Sequence, residues 1–174
     1  MQYKGFKPYE FQKQIIDDIL NKDDMFYTMV CGRQIGKTLL LINMLLYYGI
    51  NYPRITLLWV SPYYSMAVKV LSQILDAIER TPIVKEANKS EKIITFTNGS
   101  RIYFRSAEKP ETIRGLSVDY GFIDEAQDVS DSAWNKAILP VFTAKGKKVL
   151  IAGTPKNKSW FYQYFQRGGS EGYN

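Results

Sequence analysis

Residues Cys31-Gly32-Arg33-Gln34-Ile35-Gly36-Lys37-Thr38 constrain this chain more than any other stretch. An apolar, strand-like run from Met25 to Val30 leads into them, and a helix-like run from Leu39 to Tyr48 follows. Strand, loop and helix in that order around Gly-Lys-Thr form the setting of a phosphate-binding loop. In such a loop the backbone N–H groups and the helix N-terminus face the anion, and the helix dipole adds to the attraction. Gly32, Arg33, Gln34, Ile35 and Gly36 would supply the cradle, Lys37 would reach the β- and γ-phosphates, and the Thr38 hydroxyl would hold Mg²⁺. Cys31 stands where a first glycine is usual, which is free of strain only if the backbone there avoids positive φ. The chain is expected to bind a nucleoside triphosphate.

At 174 residues there is room for one domain with a real core, but not for two large ones. The balance of 45% hydrophobic and 23% charged residues fits a soluble globular protein. No apolar run reaches the length of a membrane span, and the N-terminus lacks the apolar segment of a secretion signal. The single cysteine, Cys31, rules out an intrachain disulfide and suits a reducing cytoplasm. Histidine is absent, which removes histidine bases and histidine metal ligands from consideration. A net charge of +6 suggests a polyanionic partner, and nucleic acid once nucleotide chemistry is added, although solubility alone also accounts for the charge. Lys145, Lys147, Lys148, Lys156 and Lys158 gather late in the chain, where they either face DNA or form a solvated surface.

Apolar runs at Phe26–Val30, 55–60, 118–123 and 149–152 predict buried strands. Between them Met66, Val70, Leu71, Ile74, Leu75 and Ile78 keep helical spacing, and Pro62 marks the turn after the second strand. This alternation predicts an α/β fold with a mainly parallel sheet covered by helices on both faces, its chemistry gathered at the strand C-termini. One segment breaks the pattern. Apolar alternation on either side of Asn98-Gly99 predicts an antiparallel hairpin with a two-residue type I′ turn. The final residues, from Gly168 onward, read as a loose tail or as a cut within a larger protein.

Phosphoryl transfer needs a metal and a positioned water as well as a cradle. The run from Val118 to Ile123 ends in Asp124-Glu125, which places Asp124 to hold Mg²⁺ and Glu125 to polarise the attacking water. A second apolar run ends in Gly153-Thr154-Pro155, where Thr154 either senses the γ-phosphate or simply opens a turn. Near the N-terminus, Gln12 is placed to read an adenine edge with Tyr9 or Phe11 packed on the base. Alternatively, Phe11, Ile15, Ile16 and Ile19 form the core stripe of an amphipathic helix. Arg33 in the loop and Arg114 beside Gly115 are both candidates to stabilise transition-state charge, Arg114 from a neighbouring subunit. For Arg114 a surface salt bridge or a DNA contact is the other reading.

Taken together, these elements resemble the ATPase domain of the viral (bacteriophage) DNA-packaging terminase large subunit. The likeness runs from Tyr9-Glu10-Phe11-Gln12 to Gly153-Thr154-Pro155. It is most specific in Gly32-Arg33-Gln34-Ile35-Gly36-Lys37-Thr38, because terminases carry Arg-Gln in the loop and relax its first glycine. Arg114-Gly115 and the run into Asp124-Glu125-Ala126 are similar to the family's approach to its acidic strand. The resemblance implies a P-loop NTPase fold of the ASCE type that hydrolyses ATP with Mg²⁺ to move double-stranded DNA into a procapsid. It implies a ring-shaped homo-oligomer on the portal protein, working with the small terminase subunit in the host cytoplasm, outside the mature virion and away from membranes. Lys37 and Thr38 would bind phosphate and Mg²⁺, Asp124 the metal, and Glu125 would be the catalytic base, with Thr154 in the coupling motif. Either Arg33 or Arg114 would be the arginine finger. The family's C-terminal nuclease has no room in 1–174, so one ATPase domain, weak activity alone and no DNA cleavage are expected.

Two other readings compete. The first motor domain of a DNA or RNA helicase would also use Gln12, the Gly-Lys-Thr loop, Asp124-Glu125-Ala126-Gln127 and Gly153-Thr154-Pro155. Arg33-Gln34 and Arg114-Gly115 fit it less well, and no second motor domain is present. A nucleotide-gated scaffold without turnover would have no need of Glu125.

Overall fold

A computed structural model describes residues 6–156, 158–170 and 172. In chain order the elements are α1 (Glu10–Asn21), β1 (Phe26–Val30), α2 (Lys37–Asn51), β2 (Thr56–Ser61), α3 (Tyr64–Ile78), β3 (Val84–Asn88), β4 (Ile93–Phe96) and β5 (Arg101–Ser106). Then follow β6 (Tyr120–Ile123), α4 (Asp131–Ala133), whose helical path continues irregularly to Phe142, β7 (Lys148–Gly153) and α5 (Trp160–Gln166). The seven strands form one sheet in the order β1-β7-β6-β2-β5-β4-β3. Pairs from β1 through β5 are parallel, whereas β4 and β3 add antiparallel pairs at one edge. The last strand in sequence, β7, is inserted between β1 and β6, so the ends of these three strands are neighbours.

Both faces of the sheet are buried along β1, β7, β6 and β2, and side chains alternate between them along each strand. Leu57, Trp59, Leu150 and Ala152 join the core under α1, α2 and α3. Leu58, Val60, Val149 and Ile151 join the opposite core with Trp134, Phe142, Trp160 and Tyr164. Continuous apolar runs are therefore what these strands require, since a polar residue on either face would be buried without water. Among the described residues, no helix is long and apolar enough to cross a membrane.

Five expectations change in detail. The Asn98-Gly99 turn is not a two-residue type I′ turn, because Gly99 has φ +87° while Asn98 does not adopt positive φ. Gly99 N donates to Phe96 O at 3.0 Å and Phe96 N to Ser100 O at 2.9 Å, which makes a three-residue loop closed by a left-handed glycine. The Asn98 amide instead ties the turn to the end of α2, donating to Gly49 O and Ile50 O. Beyond the turn, β5 belongs to the parallel core through its pairing with β2, so the added antiparallel strands are β4 and β3.

On α1 the expected stripe is shifted, because Phe11 is 41% exposed and Gln12 takes the buried position beside Ile19. The chain end is not wholly loose, since Met25 N and Phe26 N both donate to Gly172 O. Glu171, Tyr173 and Asn174 lie outside the described residues. The late lysines do not form one patch. Lys145 pairs with Asp119 at 2.8 Å, and Lys148 bonds Ile19 O at 2.6 Å; both stand at the strand N-termini. Lys156 lies at the opposite, C-terminal edge, paired with Asp128 at 2.5 Å.

Candidate active site

The loop after β1 is shaped by backbone conformation before any side chain acts. Gly36 adopts φ +83°, and a side chain there would be strained as well as pressed against Gln12 Nε2 at 2.9 Å. Cys31 is not among the positive-φ residues, so the missing first glycine costs the loop nothing. Its N–H donates to Gly153 O at 3.1 Å, which fixes the start of the loop against the end of β7. Burial pushes the Cys31 thiol above its usual range, with the Lys37 charge opposing, so it stays protonated.

Gln12 supports the loop from behind. Its Nε2 donates to Ile35 O at 3.1 Å and Gly36 O at 3.4 Å, while its Oε1 accepts from Tyr9 N at 2.9 Å. In a trans peptide the carbonyl and the following N–H point in opposite directions. Gly36 N–H and Lys37 N–H are therefore turned away from Gln12, as a phosphate cradle requires. The Gln12 amide is employed in this tie and is 2% exposed. Tyr9 and Phe11 stack on each other with centroids 5.9 Å apart and remain open to solvent.

Lys37 begins α2 and is nearly buried, its ammonium donating to Gly32 O at 2.7 Å, Cys31 O at 3.3 Å and Thr154 Oγ1 at 3.3 Å. The next residue reaches across the sheet, Thr38 Oγ1 donating to Asp124 Oδ2 at 2.8 Å. Asp124 is 3% exposed, and its Oδ1 is buried with no hydrogen-bond partner. Burial pushes its carboxyl up to about 6, the Thr38 hydrogen bond opposing and the Glu125 charge reinforcing the rise. A buried carboxylate oxygen without a partner, beside a hydroxyl, fits a divalent cation, and Thr38 with Asp124 would hold it.

Glu125 is half-buried and takes the left-handed conformation at φ 49°, turning its side chain out of the strand direction of β6. Its Oε2 accepts from Gln127 Nε2 at 2.6 Å, and Gln127 Oε1 accepts from Thr154 N at 2.8 Å. Gly32 to Thr38, Asp124, Glu125 and Thr154 are thus brought to one edge at the ends of β1, β7 and β6. Arg33 and Gln34 sit on the exposed side of the loop, and the Arg33 charge acts on Lys156. Arg114 is not brought there by any hydrogen bond or ion pair among the described residues. It is exposed on the β5–β6 loop, its N–H donating to Pro110 O, with Gly115 beside it at φ +83°. The sequence brings in Gln127 only through the helicase alternative and gives the Asp128–Lys156 pair no role at this edge; the two-residue offset of Gln127 from Glu125 is the available signal.

The family described as the terminase large subunit, T4likevirus-type, N-terminal, matches residues 28–171. The large terminase subunit of Escherichia phage T5 is 29% identical over 168 residues, covering 95% of this chain and 38% of that protein. This chain therefore spans about two-fifths of that relative's length. Among solved structures, the large terminase ATPase domain of Thermus phage P74-26 superposes with a TM-score of 0.81 at 23% identity, covering 95% of this chain and 72% of that one. The large terminase of another thermophilic bacteriophage, in complex with ATP-gamma-S, superposes with a TM-score of 0.61 at 16% identity, over 84% of this chain and 38% of that one. These likenesses bear out the parallel-cored P-loop fold of the ASCE type with its antiparallel addition. The chain belongs to the terminase large subunit family, in its N-terminal region.

Proposed function

We propose that this chain is the ATPase domain of a phage terminase large subunit, hydrolysing ATP with Mg²⁺ to drive double-stranded DNA into a procapsid. The observation that carries the proposal is the meeting of Lys37, Thr38, Asp124, Glu125 and Thr154 at three adjacent strand ends. The large terminase solved with ATP-gamma-S supports a nucleoside triphosphate as the ligand.

In this reading the loop N–H groups and Lys37 bind the phosphates, while Thr38 and Asp124 hold the metal. Bound Mg²⁺ would supply neutralisation of the charge that develops on the phosphate oxygens. Glu125 takes a proton from the water that attacks the γ-phosphorus, as the bond to the β-phosphate oxygen breaks to release ADP and phosphate. Arg33 or Arg114 adds positive charge to the transition state, and Thr154 passes the change in phosphate contacts to moving parts. The partners that go with this reading are double-stranded DNA, the portal protein, the small terminase subunit and further copies in a ring. The setting is the host cytoplasm, outside the mature virion. Adenine packing by Tyr9 and Phe11 belongs to the same proposal.

Phosphate release measured with Mg²⁺ and ATP tests it. Glu125→Gln should lower turnover at least ~100-fold while ATP binding survives, since a positioned base contributes ~10²–10⁴. Equal turnover in the two proteins would remove Glu125 from the chemistry, and with it the proposed mechanism.

A further inference from the structure

We infer that Gln127 is a positioning residue that fixes the Glu125 carboxylate relative to Thr154, so that the proposed base is set in place by the strand end at the phosphates. The inference rests on the reading of Glu125 as the base and adds a residue to it.

Gln127 lies in the short helical turn 126–128 directly after β6. Its side-chain amide meets two carboxylates and one backbone N–H. Nε2 donates to Glu125 Oε2 at 2.6 Å and to Asp128 Oδ2 at 3.1 Å, and Oε1 accepts from Thr154 N at 2.8 Å. The orientation of the amide follows from chemistry, because two carboxylates require donors and a backbone N–H requires an acceptor. Reversing it would leave all three contacts mismatched.

The backbone around the amide is shaped to admit it. A Cβ at Gly153 would lie 2.6 Å from Gln127 Oε1, so the glycine leaves the space that the amide fills. Thr154, the residue after it, also accepts from Lys37 Nζ at 3.3 Å through its hydroxyl. A continuous run of contacts therefore crosses from Lys37 on the loop, through Thr154 after β7, to Gln127 and Glu125 after β6.

Glu125 starts from a left-handed backbone with three rotatable side-chain bonds, and Gln127 is the hydrogen-bond partner of its carboxylate among the described residues. Without that donor the carboxylate spreads over several rotamers, and only a fraction of them addresses the attacking water. Gln127 is not part of the phosphate cradle, so its loss should reduce turnover and not nucleotide affinity.

The test compares Gln127→Met, which keeps length without hydrogen bonds, with Gln127→Ala, which removes the amide without adding charge. Steady-state ATP hydrolysis, ATP affinity by calorimetry and thermal melts are measured beside wild type and Glu125→Gln. Both Gln127 variants should lose at least ~10-fold in kcat, the size expected for a hydrogen bond to a charged group. KM and ATP affinity should stay within about twofold. Wild-type kcat in both variants overturns the inference, as does a parallel fall in kcat and affinity, the mark of a loosened site. Loss of a cooperative melt in both variants also overturns it, because Gln127 would then serve the fold. A wild-type chain without turnover would be a failure of the ATPase reading itself, which these comparisons separate from the role of Gln127.

Discussion

Thr38 Oγ1 and Asp124 Oδ2, 86 positions apart in sequence, meet at 2.8 Å and join the start of α2 to the end of β6. This bond leaves the other Asp124 oxygen buried without a partner and the carboxyl raised from 3.8 to about 6. An acid whose folded pKa exceeds its unfolded one holds its proton more tightly in the native state. The associated stability is complete below pH 3.8 and is lost as pH rises through about 6. In metal-free protein at pH 8 the buried charge costs on the order of 3 kcal/mol by that difference. Asp124→Asn removes the charge and keeps an acceptor for Thr38. In EDTA the variant should melt several degrees above wild type at about pH 8 and within a degree or two of it at about pH 3.5. Identical melting at both pH values would show that the charge is solvated or compensated.

Lys37 is the only side-chain cation bonded to the loop's own carbonyls among the described residues. Replacing it with alanine removes the donor proposed to reach the β- and γ-phosphates. ATP affinity measured by calorimetry should fall at least ~10-fold, since hydrogen bonds to charged groups contribute about 1.5–3 kcal/mol each. Wild-type affinity in Lys37→Ala would take the loop out of the proposed binding site.

Gln12 shows how a polar residue comes to occupy a core position. Its three contacts, to Tyr9 N, Ile35 O and Gly36 O, tie α1 to the phosphate loop. Gln12→Ala takes the side-chain partner from Tyr9 N and Ile35 O, both part-buried, at about 1–3 kcal/mol. The urea midpoint should drop accordingly, and ATP affinity should fall with it because the loop N–H groups lose their fixed direction. A stability loss with full ATP affinity would assign Gln12 to the fold alone.

The strands that form the middle of the sheet were legible because burial on both faces forces continuous apolar runs such as Phe26–Val30 and 149–152. Edge strand β3 was not, since Val84-Lys85-Glu86-Ala87-Asn88 is largely solvent-facing and needs no such run. The loop, Asp124 and Glu125 could be read from their spacing, because one cradle and one strand end suffice to define them. The placements of Gln12 and Gln127 depend on contacts 23 or more positions away, which periodicity does not encode. The same holds for the lysines after residue 144. Close in sequence, they part because β7 carries the chain across the sheet from one edge to the other.

Arg114 differs from Arg33 in how each relates to the loop of its own chain. Arg33 lies within the loop, and its charge acts on Lys156, itself paired with Asp128 beside Gln127. Arg114 is exposed with no side-chain partner among the described residues, next to the left-handed Gly115 in the β5–β6 loop. An arginine free in its own subunit is suited to reach a neighbour's nucleotide in a ring. Mixing Arg114→Ala subunits with Glu125→Gln subunits should then restore ATP turnover that neither variant has alone. A site with an intact Glu125 in an Arg114→Ala subunit would receive its arginine from a Glu125→Gln neighbour. A mixture as inactive as the separate variants would mean that any contribution of Arg114 is made within its own chain, and the trans role would be lost to Arg33 acting in cis.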